Sequence, residues 1–84
     1  MHDLFISGQA ERDMRRLDAS MFRRVVSEMN GLSANPRPPG CRKLSGPGND
    51  WRIRVGNYRV IYEIDDAEKV VRIMRVRHRS EAYR

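Results

Sequence analysis

The segment Trp51–Ile64 reads WRIRVGNYRVIYEI and predicts a β-hairpin. Apolar or aromatic residues alternate with charged ones on both sides of Gly56-Asn57, and a Gly-X pair between such flanks is typical of a type II′ turn. Counting outward from that turn pairs Arg54 with Arg59, and directly opposed residues share a face. One face is therefore apolar and is expected to face the core. It carries Trp51, Ile53, Val55, Tyr58, Val60, Tyr62 and Ile64.

The opposite face of the hairpin, called the arginine face below, carries Arg52, Arg54 and Arg59. Like charges directly opposed across a strand pair are destabilising, yet Arg54 and Arg59 are predicted to oppose each other. The planar guanidinium group binds phosphate through two parallel hydrogen bonds, so the cluster is suited to a polyanion. The other interpretation is a solvated basic surface on which the arginines splay apart and bind nothing.

Length and composition limit the classes of function. Eighty-four residues predict one domain, 1–84, with a small core. The net charge of +6 favours nucleic acid or an acidic protein as the partner. Cys41 is the one cysteine, which excludes an intrachain disulfide, does not support a cysteine-based metal site and fits a reducing cytoplasm. The segment from Met1 to Ser7 has neither a basic stretch nor a long apolar run, so a signal peptide and a membrane span are not expected.

Two helices are predicted before the hairpin. Ser7 is a candidate N-cap for the first, whose buried stripe is Ala10, Met14 and Leu17. The charged residues between them, Asp13 included, are placed on the solvent side.

Asp18 or Ser20 can cap the second helix, and Gly31 is placed to end it. Its expected apolar face is Phe22, Val25, Val26, Met29 and Leu32. The short join between the helices predicts an antiparallel helical hairpin. Arg15 and Arg16 make its outer surface basic, which indicates either a solvated face or a secondary contact with nucleic acid.

The segment 33–50 is a Pro/Gly-rich connection that predicts neither a helix nor a central strand. In its middle, Leu44 is expected to pack inward, with Arg42 and Lys43 pointing outward.

After a turn at 65–68, residues 70–77 predict a last strand, in a register that sets Val71 opposite Tyr62 and Ile73 opposite Val60. The element order is then β-α-α-β-β-β, an α+β fold with a mostly antiparallel sheet.

Strict alternation along this last strand would bury Arg75, which is costly for an unpaired charge. A β-bulge near Met74–Arg75 would instead turn Val76 inward and place Arg77 and Arg79 on the arginine face. The tail 77–84 leaves the sheet beside the hairpin turn. Four of its side chains can therefore converge on Arg54 and Arg59: Arg77, His78, Arg79 and Tyr83.

These residues resemble the RelE family of the RelE/ParE toxin superfamily. The resemblance lies in the element order and in the runs Lys43-Leu44-x-Gly, Trp51-Arg52-x-Arg54-Val55-Gly56-Asn57-Tyr58-Arg59-Val60-Ile61-Tyr62 and His78-Arg79-Ser80-Glu81-Ala82-Tyr83. It covers essentially the whole chain. It implies the RelE-like microbial RNase architecture, in which a helical hairpin packs on a twisted sheet.

The resemblance also implies a function. The chain would be the toxin of a type II toxin–antitoxin pair, cleaving mRNA in the ribosomal A site without metal or other cofactor. Its implied partners are a RelB-like acidic antitoxin, forming a hetero-oligomer with it, and mRNA and rRNA on the ribosome. The expected location is the cytoplasm, with no membrane contact.

Carried over by position, the resemblance implies a catalytic set. Its members are Arg52 and Arg54 as the hairpin cations, Arg59 after the turn, Arg77 or Arg79 in the last strand, and Tyr83 in the tail. His78 is a further candidate because of its chemistry, and the basic residues Arg15, Arg16, Arg42 and Lys43 are expected to make further RNA contacts. Arg52 and Arg54 stand where such toxins often have lysine, and arginine stabilises charge but is a poor proton shuttle. Proton transfer then falls to Tyr83 or His78. A tyrosine acts as a base only where cations lower its pKa, whereas an ordinary histidine titrates near neutrality. The alternative is that His78 anchors the tail and Tyr83 is an aromatic latch or stacks on a base.

Two other functions share this scaffold. A ParE-like poison of DNA gyrase would generally lack the catalytic cations and the tail tyrosine. A noncatalytic basic module would use the same groove to bind an acidic antitoxin, because guanidinium groups accept carboxylate as well as phosphate.

Overall fold

Residues 1–82 are described by a computed structural model, in which five strands and three helices form one layer of sheet with helices packed on it. The elements are β1 (Asp3–Ile6), α1 (Gly8–Arg15), α2 (Ala19–Ala34), β2 (Arg42–Lys43), β3 (Asp50–Val55), β4 (Tyr58–Asp65), β5 (Val70–His78) and α3 (Arg79–Ala82). The strand order across the sheet is β1-β5-β4-β3-β2. β1 runs parallel to β5, and the other neighbours are antiparallel. The α+β prediction is confirmed, with β2 and α3 as additions.

Side-chain caps start both long helices as predicted. Ser7 Oγ accepts the amide of Ala10 at 3.1 Å, and Asp18 Oδ1 accepts the amide of Met21 at 2.8 Å. The predicted end of α2 at Gly31 is wrong, because the helix continues to Ala34. Leu32 is fully buried in that last turn, so its packing outweighs the unfavourable glycine.

The core lies between the helices and one face of the sheet. Tyr62 is its largest fully buried side chain, and Met29 and Leu32 pack there from α2. Phe22 was expected to join them but is 42% exposed. It sits on the same helix as Val25 and Met29 but lines an open groove together with Ile6 of β1.

The β3–β4 hairpin pairs as predicted, from Asp50 opposite Glu63 to Val55 opposite Tyr58. Gly56 has φ of +59°, the positive value that the first central position of a type II′ turn requires. A Cβ there would also lie 2.9 Å from the terminal methyl of Met21, a contact that this flexible side chain can relieve by moving, so it is the backbone conformation that requires glycine.

The β4–β5 register differs by two residues from the prediction. Val71 pairs with Ile64 and Ile73 with Tyr62, because the turn spans residues 66–69. A shift of two keeps every side chain on its predicted face. The predicted bulge is confirmed: Tyr62 pairs with Ile73 but Ile61 pairs with Arg75, which leaves Met74 as the extra residue.

Side-chain hydrogen bonds hold the 33–50 connection to the sheet. The Tyr62 hydroxyl donates to the carbonyl of Pro36 at 2.7 Å, and the Asn49 amide donates to the carbonyl of Ile64 at 2.6 Å. Leu44 is half-buried and donates its backbone amide to Asp50. The segment also contributes β2, the short edge strand that the sequence did not predict.

Candidate functional site

Three arginines form a row across three neighbouring strands on the arginine face. Arg54 on β3 is the Cα partner of Arg59 on β4, and Arg59 is the partner of Arg77 on β5. Arg59, in the middle of the row, is 8% exposed, whereas Arg54 is exposed. The three guanidinium groups are therefore gathered on one side of the sheet, at the end that carries the hairpin turn.

A second pair of arginines lies beside this row on the same face. Arg42 on β2 is the Cα partner of Arg52 on β3, two residues along from Arg54. Within residues 1–82, neither Arg42 nor Arg54 has a side-chain hydrogen bond or an ion pair. Two guanidinium groups of the face are thus available to an external anion.

Arg77 is partly enclosed at its place in the row. Its Nε is buried and makes no hydrogen bond within the described residues, and the nearest carboxylate oxygen is Glu81 Oε2 at 3.9 Å. Glu81 is thus placed to orient this arginine without neutralising it through a short contact.

The bulge that turns Arg77 onto the arginine face is held by Asp13 of α1. Its Oδ2 accepts the Val76 amide at 2.9 Å and the Arg75 Nε at 2.9 Å, and its Oδ1 accepts Arg75 NH2 at 3.2 Å. Burial alone raises the pKa of the Asp13 carboxyl, but the hydrogen bonds from Arg75 and Val76 outweigh it and hold the pKa below its usual value. The solvent-side prediction for Asp13 is therefore wrong, since its side chain is 11% exposed.

His78 lies on the helix side of the sheet, one residue beyond Arg77. It is the Cα partner of Tyr58, which packs against the core, and the two rings meet edge to face at 5.3 Å. Its Nδ1 is 2.9 Å from Ser80 Oγ and 3.2 Å from the Ser80 amide. Alternation thus places His78 away from Arg59, in an environment that suits an anchor for the tail.

The tail is fastened to the hairpin turn at the start of α3. The Arg79 amide donates to the Asn57 carbonyl at 2.7 Å, so the tail leaves the sheet beside the turn as predicted. The Arg79 side chain is exposed. Tyr83 lies outside the described residues, and its role stays a prediction.

The four further RNA contacts predicted from the sequence do not form one surface. Arg42 adjoins the arginine face, while the Lys43 ammonium donates to the Gly48 carbonyl at 3.0 Å and fastens its own loop. Arg15 borders an apolar groove of about 430 Å³ between α1 and α2 that also includes Phe22. Arg16 lines a cavity of about 80 Å³ beside His78.

Sequence reasoning missed two features of the site. The first is the contact of Asp13 with Arg75. It could have been inferred indirectly, because a buried Arg75 requires a carboxylate partner. The second is a pocket of about 370 Å³ beside Arg52 and Arg54, to which α2 contributes Glu28. No spacing in the sequence marks Glu28, because its position depends on the path of the 33–50 connection.

Within residues 1–82, no helix combines the length and the apolar character needed to cross a membrane.

Comparison with known proteins identifies the family. The profile described as "ParE toxin of type II toxin-antitoxin system, parDE" matches residues 4–83. Toxin RelG of Mycobacterium tuberculosis is 38% identical over 79 residues, which cover 89% of this chain and 87% of that protein. Toxin RelE of the same organism is 34% identical over 80 residues, which cover 94% of this chain and 82% of that protein.

Solved structures show the same fold. The archaeal RelE–RelB complex from Pyrococcus horikoshii matches with a TM-score of 0.84 and 28% identity, covering 95% of this chain and 97% of that one. The toxin–antitoxin complex RelBE2 from Mycobacterium tuberculosis matches with a TM-score of 0.81 and 29% identity, covering 92% of this chain and 96% of that one. The predicted resemblance is confirmed: this chain belongs to the RelE family of the RelE/ParE superfamily of type II toxin–antitoxin toxins.

Proposed function

We propose that this protein is a metal-independent endoribonuclease that cleaves mRNA in the ribosomal A site and so inhibits translation. The observation that carries the proposal is the row of Arg54, Arg59 and Arg77 across three strands. Such a row gathers positive charge on one side of the sheet, and a phosphodiester fits both that charge and the fork geometry of guanidinium.

The reaction is a rearrangement within the RNA strand that consumes no co-reactant, and solvent water can supply the proton that the leaving group takes up. The 2′-oxygen of a ribose attacks the adjacent phosphorus, and the bond from that phosphorus to the next 5′-oxygen breaks. A base takes the 2′-hydroxyl proton, an acid gives a proton to the leaving 5′-oxygen, and a 2′,3′-cyclic phosphate remains. Negative charge grows on the non-bridging oxygens in the transition state, and fixed cations there lower the barrier.

The geometry suggests a division of labour among the arginines. Arg59 and Arg77 are direct cross-strand partners and would hold the non-bridging oxygens of the scissile phosphate. Arg54, which is exposed, would bind that phosphate or the next one together with Arg52 and Arg79. Since arginine stays protonated, these side chains stabilise charge and do not move protons.

We assign proton transfer to Tyr83 and an anchoring role to His78. His78 lies on the helix side of the sheet with its Nδ1 at hydrogen-bond distance from Ser80, whereas the reacting phosphate would lie on the arginine face. A tail tyrosine beside several cations would have its ionised form favoured, which a base requires. Tyr83→Phe should therefore reduce cutting much more than His78→Gln does.

The proposed partners follow from the same surface. The solved relatives from Pyrococcus horikoshii and Mycobacterium tuberculosis are complexes of a toxin with its antitoxin. We propose that an acidic antitoxin segment neutralises this chain, forming a hetero-oligomer, and that mRNA and rRNA on the ribosome compete for the same cations. We further propose that 1–84 acts as one domain in the cytoplasm, with 77–84 as its functional tail.

Primer extension on a translated message, after induced expression, tests the activity. Cuts inside codons that disappear when translation is blocked support the proposal. The matched variants are Arg54→Gln, which changes the row, and Arg72→Gln, which removes an arginine paired with Glu63 elsewhere on the sheet. Equal cutting by both variants would refute the site.

The same experiment separates the two other candidate functions. The matching family profile carries the ParE name, so a gyrase poison is the second candidate. An intact message together with linearised or relaxation-defective plasmid would establish that activity instead. Absence of toxicity would leave a noncatalytic module that only binds an acidic antitoxin.

A further inference from the structure

A pocket of about 370 Å³ opens at the edge of the sheet, where it adjoins the arginine face. α2 contributes Glu28 to it, the 33–50 connection contributes Pro38 and Pro39, and the sheet contributes Arg42, Arg52 and Arg54. Its volume falls within the range of small-molecule sites. We call it the edge pocket, and the proposed function does not by itself account for it.

The pocket exists because the edge strand is short. β2 pairs only with Trp51 and Arg52, so in the described part of the chain the outer edge of β3 beyond Arg52 is not covered by a further strand. Pro38 and Pro39 form a wall with fixed φ and no amide hydrogens, which keeps the opening from closing by backbone pairing.

The charge distribution in the edge pocket differs from that of a phosphate site. Glu28 is its single carboxylate among the described residues, and within residues 1–82 this carboxylate makes no hydrogen bond or ion pair. A carboxylate repels phosphate, so a site for phosphate alone would not include one. The ligand that fits must present hydrogen-bond donors to Glu28 and acceptors to the arginines.

Among the bases of single-stranded RNA, guanine has this pattern. Its N1–H and N2–H donors lie side by side and match the two oxygens of one carboxylate, while O6 and N7 match a guanidinium fork. Adenine, cytosine and uracil do not present two adjacent donor groups on their pairing edge. An unpaired base also stacks on guanidinium planes, which the edge pocket provides.

We propose that the edge pocket binds an unpaired guanine next to the scissile phosphate, with Glu28 as the residue that selects it. Arg52 and Arg54 belong to both the pocket and the arginine face, so a base in the pocket and a phosphate on the face would belong to neighbouring nucleotides. This inference rests on the proposed function for the identity of that phosphate, but guanine binding itself does not require cutting.

The first test measures base binding directly. Full-length protein is titrated with guanosine 5′-monophosphate and, separately, adenosine 5′-monophosphate, with binding followed by amide chemical shifts. Both probes carry the same phosphate, so the difference between them isolates the base. We expect tighter binding of the guanine nucleotide, and Glu28→Gln should reduce that preference about tenfold.

The control variant is Glu11→Gln, which removes the same charge from α1 at a position outside the edge pocket. It should keep the wild-type preference. Equal affinities of the wild type for the two nucleotides, or a guanine preference that survives Glu28→Gln, would overturn the proposal.

The second test reads the bases around each cut in a translated message of mixed codons. Wild-type protein should favour guanine at one fixed position relative to the cut, and Glu28→Gln should lower that preference about tenfold. Cutting with an unchanged base profile in Glu28→Gln would refute the edge pocket and leave the proposed function intact. Absence of cutting, together with guanine binding that depends on Glu28, would refute the proposed function and leave the edge pocket as a guanine site.

Discussion

The two ends of the sheet treat their arginines in opposite ways. At the β4–β5 turn, Arg72 pairs with Glu63 at 2.8 Å and Arg37 pairs with Asp66 at 2.8 Å. At the hairpin turn, Arg54, Arg59 and Arg77 stand in one row, and within residues 1–82 the contact of Arg77 with Glu81 is a long one of 3.9 Å. The arginines at the β4–β5 turn are thus each paired with a carboxylate, whereas the end where arginines gather in a row is the end proposed to bind RNA.

A second contrast, two residues apart on β5, makes the same point. Arg75 is held by both oxygens of Asp13, while Arg77 has only the longer contact with Glu81. The bulge at Met74 precedes both residues, so they follow the same alternation of the strand, and the Asp13 carboxylate that binds Arg75 is what distinguishes them. The Asp13–Arg75 ion pair thus stabilises the bulged strand that places Arg77 on the arginine face.

The largest expected effect of breaking this contrast is on catalysis. Arg77→Gln should lower the rate of cutting of a translated message about 100-fold, because it removes a fixed cation from the transition state. Arg72→Gln, on the same strand, should stay within about twofold, because its charge is already paired. Rates come from primer extension and folding from circular dichroism. A folded Arg77→Gln protein that cuts at the wild-type rate would remove Arg77 from the site.

The next effect is on stability. Asp13→Ala should cost about 2 kcal/mol of unfolding free energy, because it leaves the Val76 amide and the Arg75 guanidinium without their acceptor. Glu63→Ala removes the exposed Glu63–Arg72 pair, which joins β4 to β5, and should cost less than about 1 kcal/mol. Urea denaturation measures both, and equal losses would show that Asp13 does not hold the bulge.

The pH dependence of stability follows from the same carboxylate. The pKa of Asp13 is lower in the folded state than its usual 3.8, so the unfolded state binds more protons in acid. The contribution of Asp13 is therefore fully present above about pH 5 and is lost as the pH falls below 4. Asp66 has a lowered pKa as well, through its hydrogen bonds from Arg37 and His2, and titrates in the same direction.

Asp13→Asn isolates the contribution of Asp13 to this pH dependence. Thermal unfolding between pH 2 and pH 6 should show a smaller loss of stability in this variant than in the wild type. An identical slope in the two proteins would mean that another group dominates the acid transition.

The smallest expected effect is a gain in stability rather than a loss. Arg54→Gln removes one of two directly opposed cations and should raise the unfolding free energy by about 0.5 kcal/mol. Arg72→Gln should lower it slightly, since it breaks a pair. Urea midpoints at low ionic strength resolve the difference, and a destabilised Arg54→Gln protein would show that the row is not under repulsion.

The sequence predicts the hairpin well, because alternation and a two-residue glycine turn together fix both register and faces. The β4–β5 register was wrong by two residues, since several polar residues between Asp65 and Val70 allow turns at different places. A shift of two residues leaves each side chain on the same face of the sheet, so Val71 and Ile73 were still correctly placed in the core. The bulge was predictable because Arg75 had no acceptable buried position.

Features that depend on contacts between distant segments could not be predicted from local sequence patterns. Asp13 and Arg75 are 62 residues apart, and only the packing of α1 on β5 brings them together. Phe22 lies on the apolar side of α2 by periodicity, but its exposure depends on how far the sheet extends. The edge pocket likewise depends on where β2 stops, which no local pattern determines.

The row on the arginine face is proposed to bind the scissile phosphate of a message. The most direct measurement compares Arg54→Gln and Arg72→Gln side by side in translation-dependent cutting, with urea unfolding of both proteins. Arg54→Gln should cut at least tenfold more slowly while being no less stable than the wild type, and Arg72→Gln should cut at the wild-type rate. An Arg54→Gln protein that cuts as fast as Arg72→Gln would contradict the proposal.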